Sequence, residues 1–370
     1  MTEQILHGNW NTYNRIRLEK LIKEKSFAGN YAVFDWDFTC IFYDIQDSFF
    51  IYQLENLLFY LSPEQFAKTI RAGIPQTTPF LKYKNIDGHN ITAGYLCEDI
   101  DSDYKFLYNS FNGLNGSLSI EKIRDTDEFI DFKAKMIMLM RGAITISNID
   151  IAQSVSTGLD IKTLNKICEN TIDRGLNDKI QICSIKSPNC LRGKSGIIEV
   201  TYRKGLRIQK EMQELILCLN KNGIETYVCS ASQEYPVRVF ASNPKYGYCI
   251  KPENVLGRRR IFDSENKITD EHDISIPATR KEGKAEAIEK LIQPKHGGKA
   301  PVLIAGDSDG DFYMMDKFKN ESLILIFNRN QSKDTKIYSL LTQGLNERKF
   351  PDTNIIVQDR NEEEGLFKRE

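Results

Sequence analysis

Two aspartates one residue apart close a short apolar run, Tyr31-Ala32-Val33-Phe34-Asp35-Trp36-Asp37-Phe38-Thr39. A second acidic cluster closes another run, Val302-Leu303-Ile304-Ala305-Gly306-Asp307-Ser308-Asp309-Gly310-Asp311. Both read as buried strands of the parallel type, whose carboxyl ends are where open α/β sheets build their sites. Side by side, they would gather Asp35, Asp37, Asp307 and Asp311 in one crevice. Carboxylates that close stay ionised together only around a cation, so the pattern implies a divalent metal. Oxygen donors without nearby His or Cys favour Mg²⁺ over zinc. A calcium loop starting at Asp307 fails, because Phe312 stands where the sharp-turn glycine belongs and Phe318 where the bidentate Glu belongs. Asp309 reads as a helix cap.

Two further segments carry phosphate-binding chemistry. Ile224-Glu225-Thr226-Tyr227-Val228-Cys229-Ser230-Ala231-Ser232 is an apolar strand ending in small hydroxyl residues, and Arg280-Lys281-Glu282-Gly283-Lys284 puts lysines at a helix opening. A strand-end hydroxyl, the amides after it and one ammonium can cradle a phosphate dianion beside a metal.

In this order the four segments resemble the haloacid-dehalogenase-like phosphohydrolase superfamily. Its first motif is matched by Asp35, Asp37 and Thr39, its second by Ser230, and its third by Lys284, with Lys281 and Arg280 as fallbacks. Its fourth is matched by Gly306, Asp307 and Asp311. The segments around Cys229–Ser232, Pro244–Tyr248 and Lys251–Gly257 are similar to the phosphoserine-phosphatase-like branch, and within it to bacterial phosphorylcholine phosphatases. Those often carry Asn before the first-motif Thr, where this chain has Phe38.

The resemblance implies Asp35 as the nucleophile that takes the phosphoryl group. Asp37 is then the acid that protonates the leaving oxygen and later the base that deprotonates water. It also implies Mg²⁺ held by Asp35, Asp307 and the Asp37 main-chain carbonyl, with Asp311 orienting ligands. Ser230 and Lys284 would bind phosphate. The expected reaction is hydrolysis of a small phosphorylated metabolite, with phosphocholine or a related phospho-amine first among substrates and phosphoserine next. The rivals are transfer to an acceptor alcohol and, from another class, non-catalytic metal or phosphate sensing. Retention of both Asp35 and Asp37 opposes the last.

Bulk properties agree with a metabolite enzyme. The 370 residues hold 50 basic and 51 acidic side chains, a formal net charge of -1, so no basic stripe points to nucleic acid and no charge excess to a membrane surface. No apolar run approaches the roughly 18 residues that span a bilayer. The eight cysteines form no Cys-x-x-Cys pair, and most of them read as small core residues of a reducing compartment. Met1–His7 lacks a charged-then-apolar leader pattern, which predicts a cytoplasmic protein. Oligomeric state is left open.

The elements that position these residues follow from spacing. The first motif ends at Thr39 and the second strand begins near Ile224, far more chain than a crossover needs. The expected fold is therefore an α/β Rossmann-like core, with a parallel sheet and helices on both faces, built from 1–43 and 196–370. A mainly helical cap domain, 44–195, is inserted after the first motif. Within it, Asp44 to Leu61 is apolar at helical spacing, Ser62-Pro63-Glu64-Gln65 is a helix start, and further helices are expected near 101–111, 125–140 and 160–174. Ile197 to Tyr202 reads as a strand returning to the core and Asn361 to Glu370 as a disordered charged tail. Substrate choice is expected from the cap and the loop after Asp37, with Trp36, Phe38, Phe42 and Tyr43 as a candidate aromatic pocket for a quaternary ammonium.

Overall fold

The computed structural model describes residues 5–147, 149–348, 350 and 352–369. The segment from which the absence of a leader was read, Met1–His7, therefore lies mostly outside the described residues. The central sheet contains Tyr31–Phe34 (β1), Glu225–Gln233 (β2), Val255–Arg258 (β3), Leu303–Gly306 (β4), Leu323–Asn328 (β5), Ile355–Asn361 (β6) and Leu366–Phe367 (β7), in the order β7-β6-β5-β4-β1-β2-β3. All neighbouring pairs are parallel except β6 with β7. Every residue of β1 and β4 is buried, as a strand covered on both faces requires.

Period-two alternation distributes their side chains. Ala32, Phe34, Leu303 and Ala305 join one apolar core, whereas Tyr31, Val33 and Ile304 join another. Helices Thr12–Lys25 (α1), Lys210–Lys221 (α2) and Glu234–Ser242 (α3) contribute to the first core, and Glu282–Ala287 (α4), Phe312–Phe318 (α5) and Ile337–Glu347 (α6) to the second. The resulting α/β class is the one the sequence predicts.

Between β1 and β2 lies a largely helical layer with its own apolar core. Phe66 stacks on Tyr104 with ring centroids 4.0 Å apart, and Phe59 and Phe132 close around them. The helix Pro63–Arg71 begins with a complete capping box between Ser62 and Gln65 and with proline in its first turn. The chain enters and leaves this layer through two short segments that pair with each other, Ile41 opposite Ile208 and Phe42 opposite Arg207.

Two expected elements differ. Glu199–Lys204 is a strand, but it pairs antiparallel with Gln181–Lys186 and not with the central sheet. Only Val200 in it is buried, the pattern of a one-sided ribbon, whereas a core strand must be apolar on both faces. The C-terminal segment, expected to be disordered, turns at Gly365 (φ +76°) and returns as β7, with Phe367 anchored against Trp10 and Phe327. Among the described residues, no helix is long and apolar enough to cross a membrane.

The inserted layer is pinned by a buried charge network. Lys135 has no exposed surface and donates to Asp131 at 2.6 Å and to the Leu191 carbonyl at 3.1 Å, with Asp99 3.1 Å away. Asp99 in turn accepts from the Lys194 and Ser195 amides at 2.8 and 2.9 Å, tying that strap to the helices. Removing the ammonium would strand buried carboxylates, so Lys135→Met should cost about 3–5 kcal/mol in chemical denaturation. Burial, reinforced by Asp131, pushes Asp103 from 3.8 to about 9. The folded chain thus keeps a proton that the unfolded chain releases, and this group's contribution to stability should fall as pH rises through that window. Asp103→Asn should flatten that part of the stability-versus-pH curve.

Candidate active site

The chain beyond β1 folds back on itself to build the site. The Trp36 carbonyl accepts from the amides of Thr39, Cys40 and Ile41, and the Phe38 amide donates to the Tyr43 carbonyl at 3.1 Å. The tight loop forces Phe38 and Tyr43 into left-handed backbone, φ +59° and +69°, a conformation costing an L-residue roughly 1–2 kcal/mol. Phe38 is held there by Arg360, which donates to its carbonyl at 2.7 Å, and by the Arg329 guanidinium 3.5 Å from its ring centroid. The loop returns Thr39 beneath the strand ends, where its hydroxyl lies 3.2 Å from Asp35 Oδ2 and 3.3 Å from Asp307 Oδ1.

Adjacent pairing of β1 and β4 brings the acids together. Asp35, Asp307 and Asp311 each offer a carboxylate oxygen, all within 4.8 Å of one another, and all three are buried. Lys284, also buried, donates to Asp35 Oδ1 and Asp311 Oδ1 at 2.6 Å each. Asp311 Oδ2 accepts from the Asp307 and Ser308 amides at 3.1 Å, and Arg329 pairs with Asp307. Burial pushes the Asp35 carboxyl well above its ordinary range, with Asp311 adding to the rise and Lys284 opposing it. Burial pulls the Lys284 ammonium down, but the Asp311 and Asp35 carboxylates outweigh it and leave the pKa raised.

Asp37 stands apart from this cluster. Its oxygens accept from the Ser232 hydroxyl at 2.6 Å and the Ile45 amide at 2.7 Å. Burial raises its pKa to about 6 against the lowering effect of those two donors. Ser230 is buried behind it, with its hydroxyl accepting from the Ser232 amide at 3.2 Å and its carbonyl held by Thr279 at 2.5 Å. Asp309 is a cap, but for a distant helix: it accepts from the amide of Ile337, the first residue of α6.

The expected aromatic pocket is corrected by the structure. A cavity of about 560 Å³ opens above Ala231 and Ser232, lined by inserted-layer and core residues but by none of Trp36, Phe38, Phe42 and Tyr43. Trp36 is fully buried against Phe240 and Tyr248, because strand alternation turns it away from its acidic neighbours. Phe42 is buried and stacked on Tyr43 at 4.5 Å, and Phe38 is covered by Arg329.

Ser232 as a partner of Asp37, and Arg329 as a partner of Asp307, are site residues that the motifs do not point to. Ser232 lay in the strand-end hydroxyl run, while Arg329 is a cation just beyond another apolar strand, the same kind of signal with opposite charge.

A parallel sheet whose central strands present these acids, facing a buried lysine, agrees with the match of residues 191–316 to the haloacid dehalogenase-like hydrolase family. Over that stretch the chain is similar to haloacid dehalogenase-like hydrolases, and together with a phosphorylcholine phosphatase relative this supports an enzyme of the phosphatase class. The chain is 26% identical over 335 residues to the phosphorylcholine phosphatase of Pseudomonas aeruginosa, covering 83% of this chain and 76% of that protein. A conserved functionally unknown protein from Anaerococcus prevotii superposes with a TM-score of 0.92 at 27% identity, covering 100% of this chain and 98% of the other.

Trp36→Ala should therefore act through packing. Its cost should be about 3–5 kcal/mol of stability by denaturant titration, and turnover of choline and neutral phosphate esters should fall in step. Selective loss for the choline ester would place the ring at the substrate.

Proposed function

We propose that the chain is a Mg²⁺-dependent phosphatase that hydrolyses a small phosphate monoester through an aspartyl-phosphate on Asp35. The observation that carries this reading is the division between two aspartates one residue apart. Asp35 joins the buried acid cluster, whereas Asp37 sits outside it with a pKa near 6, poised to give and take a proton. A non-catalytic sensor has no use for that division.

The cluster fits a hard divalent cation, because three buried carboxylates converge with no sulfur or imidazole among them. Asp35 and Asp307, with the Asp37 carbonyl, would hold Mg²⁺, and Asp311 would orient them. When bound, the ion supplies positive charge to the transferring phosphoryl oxygens. Asp35 attacks phosphorus as the ester O–P bond breaks, and Asp37 gives its proton to the departing alkoxide. Water then attacks the phosphoenzyme, Asp37 takes its proton, and the Asp35–phosphorus bond breaks to release phosphate. Lys284 and the Ser230 hydroxyl offset charge on the phosphoryl oxygens. The inserted layer serves as a cap that excludes water and faces the leaving group. The relative from P. aeruginosa supports phosphocholine or a related phospho-amine as substrate, with phosphoserine next and an alcohol acceptor as the alternative to water.

Asp35→Asn should abolish both turnover and phosphoenzyme formation, measured by acid quench, while circular dichroism stays unchanged. EDTA should stop turnover and Mg²⁺ restore it; a chelator-resistant enzyme contradicts the metal assignment. Because Asp37 must arrive protonated, kcat/KM should decline on the alkaline side of its titration. Ser232 donates to the charged carboxylate and so lowers its pKa. Ser232→Ala should move that alkaline limb to higher pH, and a shift to lower pH would sink the assignment of Asp37 as the acid.

A further inference from the structure

The cavity above Ser232 carries four guanidinium groups: Arg258 and Arg280 from the core, and Arg141 and Arg203 from the inserted layer. Among the described residues, none of the four has a carboxylate within ion-pair distance. The Arg258 guanidinium meets only His272 Nε2, at 3.3 Å, and Arg203 lies over the Phe38 and Tyr43 rings at 5.2 and 5.7 Å.

Of the three acids that line the same cavity, Asp47 lies close enough to Arg203 and Arg141 for both to oppose the rise that burial imposes on its carboxyl, so it offsets part of the charge on the inserted-layer pair. The other two acids are engaged elsewhere. Asp44 and Asp150 are turned to backbone and amide donors, accepting from Asp47 N at 2.9 Å, Ala152 N at 3.0 Å and Gln153 Nε2 at 3.1 Å. Burial pushes both carboxyls upward, which reduces the negative charge they offer. Burial also pulls Arg258 downward; Asp150 opposes that fall and the like charge of Arg280 adds to it, which places the two cations near one another.

Gln46 is a second, independent sign of a ligand. It lines the cavity and is only 5% exposed; its Oε1 is fixed by the Gln233 amide at 2.8 Å, which leaves its buried Nε2 donor without a partner. A quaternary ammonium finds little here. Of the two rings lining the cavity, Tyr83 and Tyr202, the second already has the Lys133 ammonium over it, 4.4 Å from the centroid.

We infer that this cavity receives a leaving group bearing a second anionic group, a carboxylate or a further phosphate, held by Arg258 and Arg280 against Arg141 and Arg203. Guanidinium forks match both oxyanions, and unpaired arginines next to a phosphoryl site favour a doubly anionic ester over a choline ester. The inference rests on the phosphatase reading above and departs from its order of substrates, setting esters with a second anionic group, such as phosphoserine, ahead of the choline ester.

Four probes test it with the Mg²⁺-loaded full chain: phosphocholine, p-nitrophenyl phosphate, 2-phosphoglycolate and fructose 1,6-bisphosphate. At least one of the two acidic esters should exceed phosphocholine in kcat/KM by about tenfold or more, and which one does so separates carboxylate from phosphate recognition. Arg258→Gln and Arg280→Gln should raise KM for that ester about tenfold more than for p-nitrophenyl phosphate, and Arg280→Lys should recover part of the loss. A wild-type preference for phosphocholine overturns the inference, as does an equal rise in KM for p-nitrophenyl phosphate. If none of the four esters is hydrolysed, the phosphatase reading itself falls and takes the inference with it.

Discussion

Parallel pairing of Tyr31–Phe34 with Leu303–Gly306 is the constraint from which the site follows. The two strands are far apart in sequence, yet their hydrogen-bonded register ends both at the same level and brings the carboxylates of Asp35 and Asp307 together at the carboxyl end of the sheet. Desolvated carboxylates at that spacing repel, and the fold answers with one buried cation and one partly buried one. Lys284 bridges Asp35 and Asp311, and Arg329 pairs with Asp307. The charge pattern is thus a property of the carboxyl end of the sheet's central strands, assembled from strand ends and the loops that leave them.

Much of this was legible because strands covered on both faces must be apolar throughout. Tyr31–Phe34, Val228–Ser230 and Leu303–Gly306 announce themselves as runs that stop at polar residues, and the stop marks the site. The capping box at Ser62 was legible for a similar reason, since its two reciprocal hydrogen bonds need particular residue types at fixed spacing. Lys284 was identifiable only by its order among the other segments, because its burial depends on partners from β1 and the turn before α5.

What escaped notice depends on direction. Trp36 was assigned to a pocket by its proximity to Asp35 and Asp37, but alternate residues at a strand end face opposite sides, and its ring belongs to the core. Glu199–Lys204 has strand composition yet buries one face only, so it completes a ribbon of the inserted layer. The arginines of the cavity come from four separate elements, and nothing local in their sequence relates them. The C-terminal segment is charged enough to suggest disorder, but Phe367, packed on Trp10 and Phe327, and the hydrogen bonds that join Gly365 to Gln209 and Lys368 to Asp359 anchor it.

The paired crossings at Ile41–Phe42 and Arg207–Ile208 have a mechanical corollary. Both tethers of the inserted layer run together as a single stalk, while a second seam, Gly158–Asp160 against Lys267–Ile268, ties the layer to the core elsewhere. Ile41 lies two residues from Thr39, whose hydroxyl touches Asp35 and Asp307. Ile45, at the other side of the stalk, donates its amide to Asp37. A rotation about this stalk would pull on Thr39 and on the hydrogen bond to Asp37 at once, so a hinge there would tune the two aspartates proposed as nucleophile and acid.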